Sequence, residues 1–66
     1  MNLLIITDDK KIATDNIKKC RKLVYKRFKK VKNILVEIYV NNRLIDTLKR
    51  NEKGVMESVN GFPLYI

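Results

Sequence analysis

An apolar residue recurs at steps of three and four along residues 13–31, and this spacing constrains the fold more than any other feature of the chain. The residues that share it are Ala13, Ile17, Cys20, Val24, Phe28 and Val31. Steps of three and four place side chains on one face of an α-helix, so the spacing predicts a single amphipathic helix over residues 15–32. Such a helix is stable when another layer of structure covers its apolar face.

The opposite side of the predicted helix is strongly basic. Nine of the fifteen Lys and Arg residues lie between positions 18 and 32, in a chain whose formal net charge is +8. Few acidic residues stand four positions away from them, so these cations repel one another until an anionic partner relieves the repulsion. The phosphates of DNA or RNA meet this requirement. The residues expected to contact them are Lys18, Lys19, Lys22, Lys26, Arg27, Lys29 and Lys30.

Three other segments carry strand signals. Residues 3–6 form a continuous apolar run, which favours a strand covered on both faces or a central one. Residues 34–40 alternate in polarity as a half-buried strand does. Asn41-Asn42 predicts a two-residue turn, because Asn accepts positive φ readily, and residues 43–50 then return as the antiparallel partner.

The C-terminal quarter of the chain is less clearly patterned. Gly54 marks a turn, because it adopts positive φ freely. Residues 55–59 and 62–66 are expected to form short strands, or a tail that docks on a partner or on the protein's own core. Pro63 cannot donate to a strand ladder, so it limits the last segment to a sheet edge or to no strand.

The order of elements is therefore strand, helix, strand, strand, with one or two short strands at the end. This order predicts a single α+β domain over residues 1–66, a two-layer sandwich in which one long basic helix packs on a small, mostly antiparallel sheet. A helical crossover returns most easily to a parallel neighbour, so residues 3–6 are expected to pair in parallel with residues 34–40.

The register of the predicted hairpin decides which side chains face away from the helix. A two-residue turn sets Tyr39 opposite Leu44, but it also sets Glu37 opposite Asp46, and like charges across a ladder are unfavourable. A three-residue loop with a bulge would separate the two acids and turn Asp46 toward the helix. The first register is preferred, because it leaves both acids on the open face.

The preferred register also gathers apolar side chains on the open face. A patch of this size seldom stays bare on a monomer, so it predicts a homodimer unless the tail covers it. The residues expected in a protein interface, including two from the tail, are Leu35, Tyr39, Leu44, Leu48, Phe62 and Tyr65.

Composition excludes most catalytic chemistry. The chain has no His and one cysteine, Cys20, so neither a disulfide within a monomer nor a zinc site is expected. Ser58 is the one serine, and no nucleophile–base pair can be proposed. Thr7, Asp8 and Asp9 are expected to cap the helix, with a magnesium site as the alternative. We therefore expect no enzyme, no metal and no cofactor.

Two functions remain. The first is a small, non-enzymatic protein that binds nucleic acid through its phosphates, with little base preference because lysine outnumbers arginine. The second is an inhibitor or adaptor of the kind that viral or mobile-element genomes encode, acting on an acidic host protein through the open sheet face or the tail. The start of the sequence carries neither a signal-peptide pattern nor a membrane-spanning run, so a soluble cytoplasmic protein is expected.

Overall fold

The computed structural model describes residues 1–61 and residue 66, and these residues form an α+β fold. Within them lies an antiparallel sheet with strand order β2-β1-β3-β4-β5. A short helix connects β2 to β3. The elements are β1 (Asn2–Ile6), β2 (Lys11–Thr14), α1 (Ile17–Lys22), a π-helical segment (Leu23–Arg27), β3 (Leu35–Val40), β4 (Arg43–Arg50) and β5 (Met56–Ser58).

Strand β2 lies between the predicted caps and residue 15, and it includes Ala13 of the predicted apolar stripe. Thr7 to Lys10 form the turn that leads into it: the Thr7 amide donates to the Lys10 carbonyl (2.9 Å). The Thr7 hydroxyl accepts from the Lys10 amide (3.2 Å) and donates to Asp9 Oδ1 (3.1 Å). Thr7, Asp8 and Asp9 therefore shape a β-turn, and the expectation that they cap the helix is wrong.

The extra strand also reverses the predicted pairing of β1. Both β2 and β3 run antiparallel to β1, which lies between them. The helix therefore connects two strands that are parallel to each other, as a crossover favours, but these strands are β2 and β3. The predicted parallel pairing of residues 3–6 with residues 34–40 is wrong because the chain reverses once more before the helix.

The helical segment covers residues 17–27, which is shorter than the predicted 15–32. Asn16 caps its beginning, since Asn16 Oδ1 accepts a hydrogen bond from the Lys19 amide (3.1 Å). At its end the Phe28 amide donates to the Leu23 carbonyl (2.8 Å), five residues back, which widens the last turn. The helical segment therefore ends at Arg27, before the predicted end at residue 32.

The helical segment and one face of the sheet enclose the core. The predicted apolar stripe is confirmed at Cys20, Val24 and Phe28, which are buried, whereas Ala13 is exposed on β2. The sheet contributes the buried residues Leu3, Ile5, Val36, Ile38, Leu48 and Met56, and Ile34, directly before β3, is buried with them. We call the other face of the sheet, which points away from the helical segment, the open face.

A β-bulge in β4 corrects the predicted hairpin register. The two-residue turn is confirmed, with Asn41 and Asn42 at φ of 51° and 62°, and Tyr39 pairs with Leu44 as predicted. The register then shifts by one residue at Ile45, so Ile38 pairs with Asp46 and Glu37 pairs with Thr47.

The shift turns two side chains from the open face into the core. Asp46 and Leu48 are 0% and 1% exposed on the helix side, so the prediction that they lie on the open face is wrong. The bulge separates Asp46 from Glu37, which removes the like-charge pair. It also buries Leu48, and burying a leucine stabilises a fold by about 1.5–3 kcal/mol.

Candidate nucleic-acid interface

The residues predicted to contact phosphates are all exposed to solvent. Together they form what we call the basic surface: Lys18, Lys19, Lys22, Lys26, Arg27, Lys29 and Lys30. The chain has no acidic residue between Asp15 and Glu37, so no carboxylate from this part of the sequence interrupts them. Several of these cations occupy the last turns of the helical segment, where the helix dipole favours positive charge.

The basic surface has two parts, because the helical segment ends at Arg27. Lys18 to Arg27 project from the helical segment itself, whereas Lys29 and Lys30 belong to the turn that follows it. Arg27 lies at the junction, with its guanidinium 5.5 Å from the centre of the Phe28 ring. This cation–π contact holds an exposed cation against a buried aromatic side chain.

Arg50, at the end of β4, fixes the position of this turn. Its Nη1 donates to the Phe28 carbonyl (2.8 Å) and to the Val31 carbonyl, and its Nη2 donates to the Val24 carbonyl. The Val24 and Phe28 carbonyls lie at the end of the helical segment, where intrahelical partners run out, and the Val31 carbonyl lies in the loop that follows. Sequence reasoning missed Arg50, because nothing local distinguishes it from a surface cation.

A surface cleft of about 660 Å³ opens beside Arg50. One side is the loop that continues the basic surface, and the other is the turn between β4 and β5. The residues that line it are Lys29, Lys30, Val31, Lys32, Arg50, Asn51, Glu52 and Gly54. Four of the eight are cationic and one is acidic, so the cleft has an excess of positive charge.

The turn on the far side of the cleft is held by hydrogen bonds. Asn51 Oδ1 accepts from the amides of Lys53 and Val55 (both 2.9 Å), and Asn51 Nδ2 donates to Glu57 Oε1 (2.7 Å). Gly54 completes the turn at φ of 83°, a conformation that favours glycine. The predicted turn at Gly54 is confirmed, and its shape does not depend on a ligand.

The open face carries three of the predicted interface residues. Leu35, Tyr39 and Leu44 lie on it, and Leu44 is 51% exposed. Leu48 does not, because the bulge buries it. Leu4 and Ile6 of β1 lie beside them and were missed, although the alternation along β1 would have indicated them once its pairing was known. Phe62 and Tyr65 fall outside the described residues.

An acidic group lies near the centre of the open face. The Tyr39 hydroxyl donates to Glu37 Oε1 at 3.0 Å. This hydrogen bond is the largest of three effects that raise the pKa of the Tyr39 hydroxyl; the smaller two are burial and the negative charge of Glu37. Thr47 is the neighbour of Glu37 on β4. A partner that covers this face must therefore offer Glu37 a cation or a hydrogen-bond donor.

The thiol of Cys20 is unsuited to nucleophilic chemistry. Cys20 is fully buried, and burial raises the pKa of its thiol to about 11, against a smaller lowering by Arg21. A neutral, inaccessible thiol is a poor nucleophile. In the described part of the chain, no three His, Cys, Asp or Glu side chains gather as a metal site requires.

Comparisons with family models, with curated proteins and with solved structures found no match to this chain. Of the helical residues that the structure describes, no stretch is long and apolar enough to span a membrane.

Proposed function

We propose that the protein is a small, non-enzymatic nucleic-acid-binding protein of the cytoplasm that contacts phosphates through its basic surface. The supporting observation is the basic surface itself: seven exposed cations on one helical segment and its following turn, uninterrupted by acids of the same stretch. Each phosphate that these cations neutralise releases condensed counterions, which drives binding at low salt.

The composition of the basic surface favours non-specific binding. Six of its seven members are lysines, which act as flexible point charges, whereas base recognition relies on the planar donors of Arg, Asn and Gln. Lys18 and Lys22 stand four residues apart, about 6 Å along the helix axis, so successive cations follow a phosphate backbone. We further propose that the helical segment and the sheet form a two-layer sandwich. The basic surface would then be the outer side of the helical layer.

The test compares two triple variants that change the net charge equally. Lys18, Lys22 and Lys26 become Glu in the first, and Lys10, Arg43 and Lys53 become Glu in the second; all six are exposed. Binding of a short oligonucleotide is measured by fluorescence anisotropy over a range of salt. The first variant is expected to lose binding, and the second to keep a salt dependence near that of the wild type. In a plot of log affinity against log salt, each neutralised phosphate contributes about 0.9 to the slope for a duplex and about 0.7 for a single strand.

Equal losses in the two variants would show that net charge alone is responsible, and retained binding in the first would reject the role of the basic surface. Circular dichroism of both variants shows whether each is folded.

A second candidate is a protein-binding inhibitor or adaptor of the viral or mobile-element type. The observation that favours it is the apolar open face, on which Leu44 is half exposed. The basic surface would steer an acidic host protein, while the open face or the tail would supply the contact. A homodimer formed through the open face belongs instead to the first candidate. A pull-down that returns one acidic protein, unchanged by nuclease, would favour this candidate over the first.

A further inference from the structure

The cleft beside Arg50 extends the basic surface past the end of the helical segment. Lys29 and Lys30 belong to both features, and Lys32 carries the positive charge further along the same side of the cleft. A phosphate backbone that follows the helical segment is therefore led into the cleft.

The end of a helix usually disfavours anions, because its last carbonyl oxygens carry partial negative charge. Here the guanidinium of Arg50 donates hydrogen bonds to the carbonyls of Val24 and Phe28 at this end, and to that of Val31 just beyond it. The positive charge of Arg50 thus offsets the negative end of the helix dipole. The dipole therefore does not repel an anion that binds near Lys29 and Lys30.

The cleft also has a volume suited to one nucleotide and cations that can meet its phosphate. Its volume of about 660 Å³ lies within the range of roughly 300–1,000 Å³ found for small-molecule sites. The half-buried Val31 gives it an apolar wall, and the lysines lie on the same side. Among the lining residues that the structure describes, Glu52 alone carries a carboxylate, so a phosphate is expected on the lysine side, away from it.

We propose that this cleft holds one unpaired nucleotide of the bound nucleic acid, so the preferred partner is single-stranded. A duplex keeps its bases stacked inside and can offer only its phosphates, whereas a single strand can place a whole nucleotide in the cleft. This inference rests on the proposed nucleic-acid binding and adds the strandedness of the partner and the site that reads it.

The experiment compares a short single strand with a blunt-ended duplex that carries a similar number of phosphates, both measured by fluorescence anisotropy at one salt concentration. The wild type is expected to bind the single strand severalfold more tightly. Lys29→Gln, Lys30→Gln and Lys32→Gln, combined, are expected to remove this preference. The matched control combines Lys18→Gln, Lys22→Gln and Lys26→Gln, which removes the same charge and should weaken both ligands to a similar extent.

A second measurement needs no variant. In an NMR titration of the wild type, adenosine monophosphate is expected to shift amide resonances of residues 29–32 and 51–54 more than inorganic phosphate does. Shifts confined to the helical segment, or equal binding of single strand and duplex, would overturn this inference and leave the proposed function standing. Failure of every nucleic acid to bind would overturn both.

Discussion

Replacing Asp46 by Ala is expected to destabilise the protein more than any exposed substitution. Asp46 is fully buried, and its Oδ1 accepts from the amides of Thr47 (2.7 Å) and Asn60 (2.8 Å). Its Oδ2 accepts from the hydroxyl of Ser58. This carboxylate therefore ties the bulge of β4 to β5 and to the turn that follows β5.

The magnitude follows from two opposing effects. Each hydrogen bond to a charged acceptor contributes about 1.5–3 kcal/mol. Burying the carboxylate costs several kcal/mol, which the Ala variant recovers. The balance is a loss of about 2–4 kcal/mol in the free energy of unfolding, from a total of roughly 3–10 kcal/mol for a domain of this length. The Ala variant should therefore unfold at a clearly lower urea concentration than the wild type.

Asp46→Asn is the informative companion variant. Its amide oxygen still accepts from Thr47 and Asn60, and its NH₂ can donate to Ser58 Oγ, which already accepts from the Gly61 amide (2.6 Å). The expected loss is about 1 kcal/mol, because the bonds persist without the charge. Glu52→Ala, which removes an exposed carboxylate, serves as the control and should change stability by less than about 0.5 kcal/mol.

Urea denaturation measures these losses, and amide hydrogen exchange locates them. The Asn60 amide should lose protection in Asp46→Ala and keep most of it in Asp46→Asn. Equal stability of the Ala variant and the wild type, at an unchanged m-value, would refute the role assigned to the carboxylate.

Two further predictions concern residues that hold the helical segment. Arg50→Ala leaves carbonyls at the end of the helical segment without their donor and should lower the free energy of unfolding by about 2 kcal/mol. The control, Lys49→Ala at the exposed neighbouring residue, should lower it by less than about 0.5 kcal/mol. Equal effects of the two variants in urea denaturation would contradict this role of Arg50. Burial raises the pKa of Cys20 from 9.0 to about 11. The folded protein therefore binds the thiol proton more tightly than the unfolded chain does, and the resulting stability is complete below pH 9.0 and lost as pH rises toward 11. Cys20→Ala should lack this part of the alkaline loss, and a wild type and variant that fall in parallel would argue against it.

The sequence correctly predicted those parts of the fold that depend on interactions between residues close together in the chain. Asn41-Asn42 forms the expected turn because the preference of Asn for positive φ needs no tertiary contact. Cys20, Val24 and Phe28 are buried because their spacing fixes one face of a helix wherever that helix begins. The α+β class follows from these features together.

The errors arose where distant residues outweighed a local pattern. Residues 11–14 form a strand although Ala13 fits the apolar stripe of the helix, and the one local hint was that Ile12 lies off that stripe. Arg50 acts on carbonyls 19 to 26 residues away in sequence, so no short window contains the interaction. The spacing of the lysines does not indicate where the helix ends. It therefore could not predict that the basic surface is divided into two parts.

The bulge in β4 also determines how the two candidate surfaces differ. Without it, Leu48 would lie on the open face and Asp46 would face Glu37, so that face would be both more apolar and more acidic. With it, Asp46 is satisfied by donors from β5 and the following turn, and Glu37 remains as an acid beside Tyr39. The open face is therefore suited to a partner that supplies a cation or a donor, whereas the basic surface suits an anion. Because the sheet separates these two surfaces, variants of one should leave binding at the other unchanged, and their effects should add.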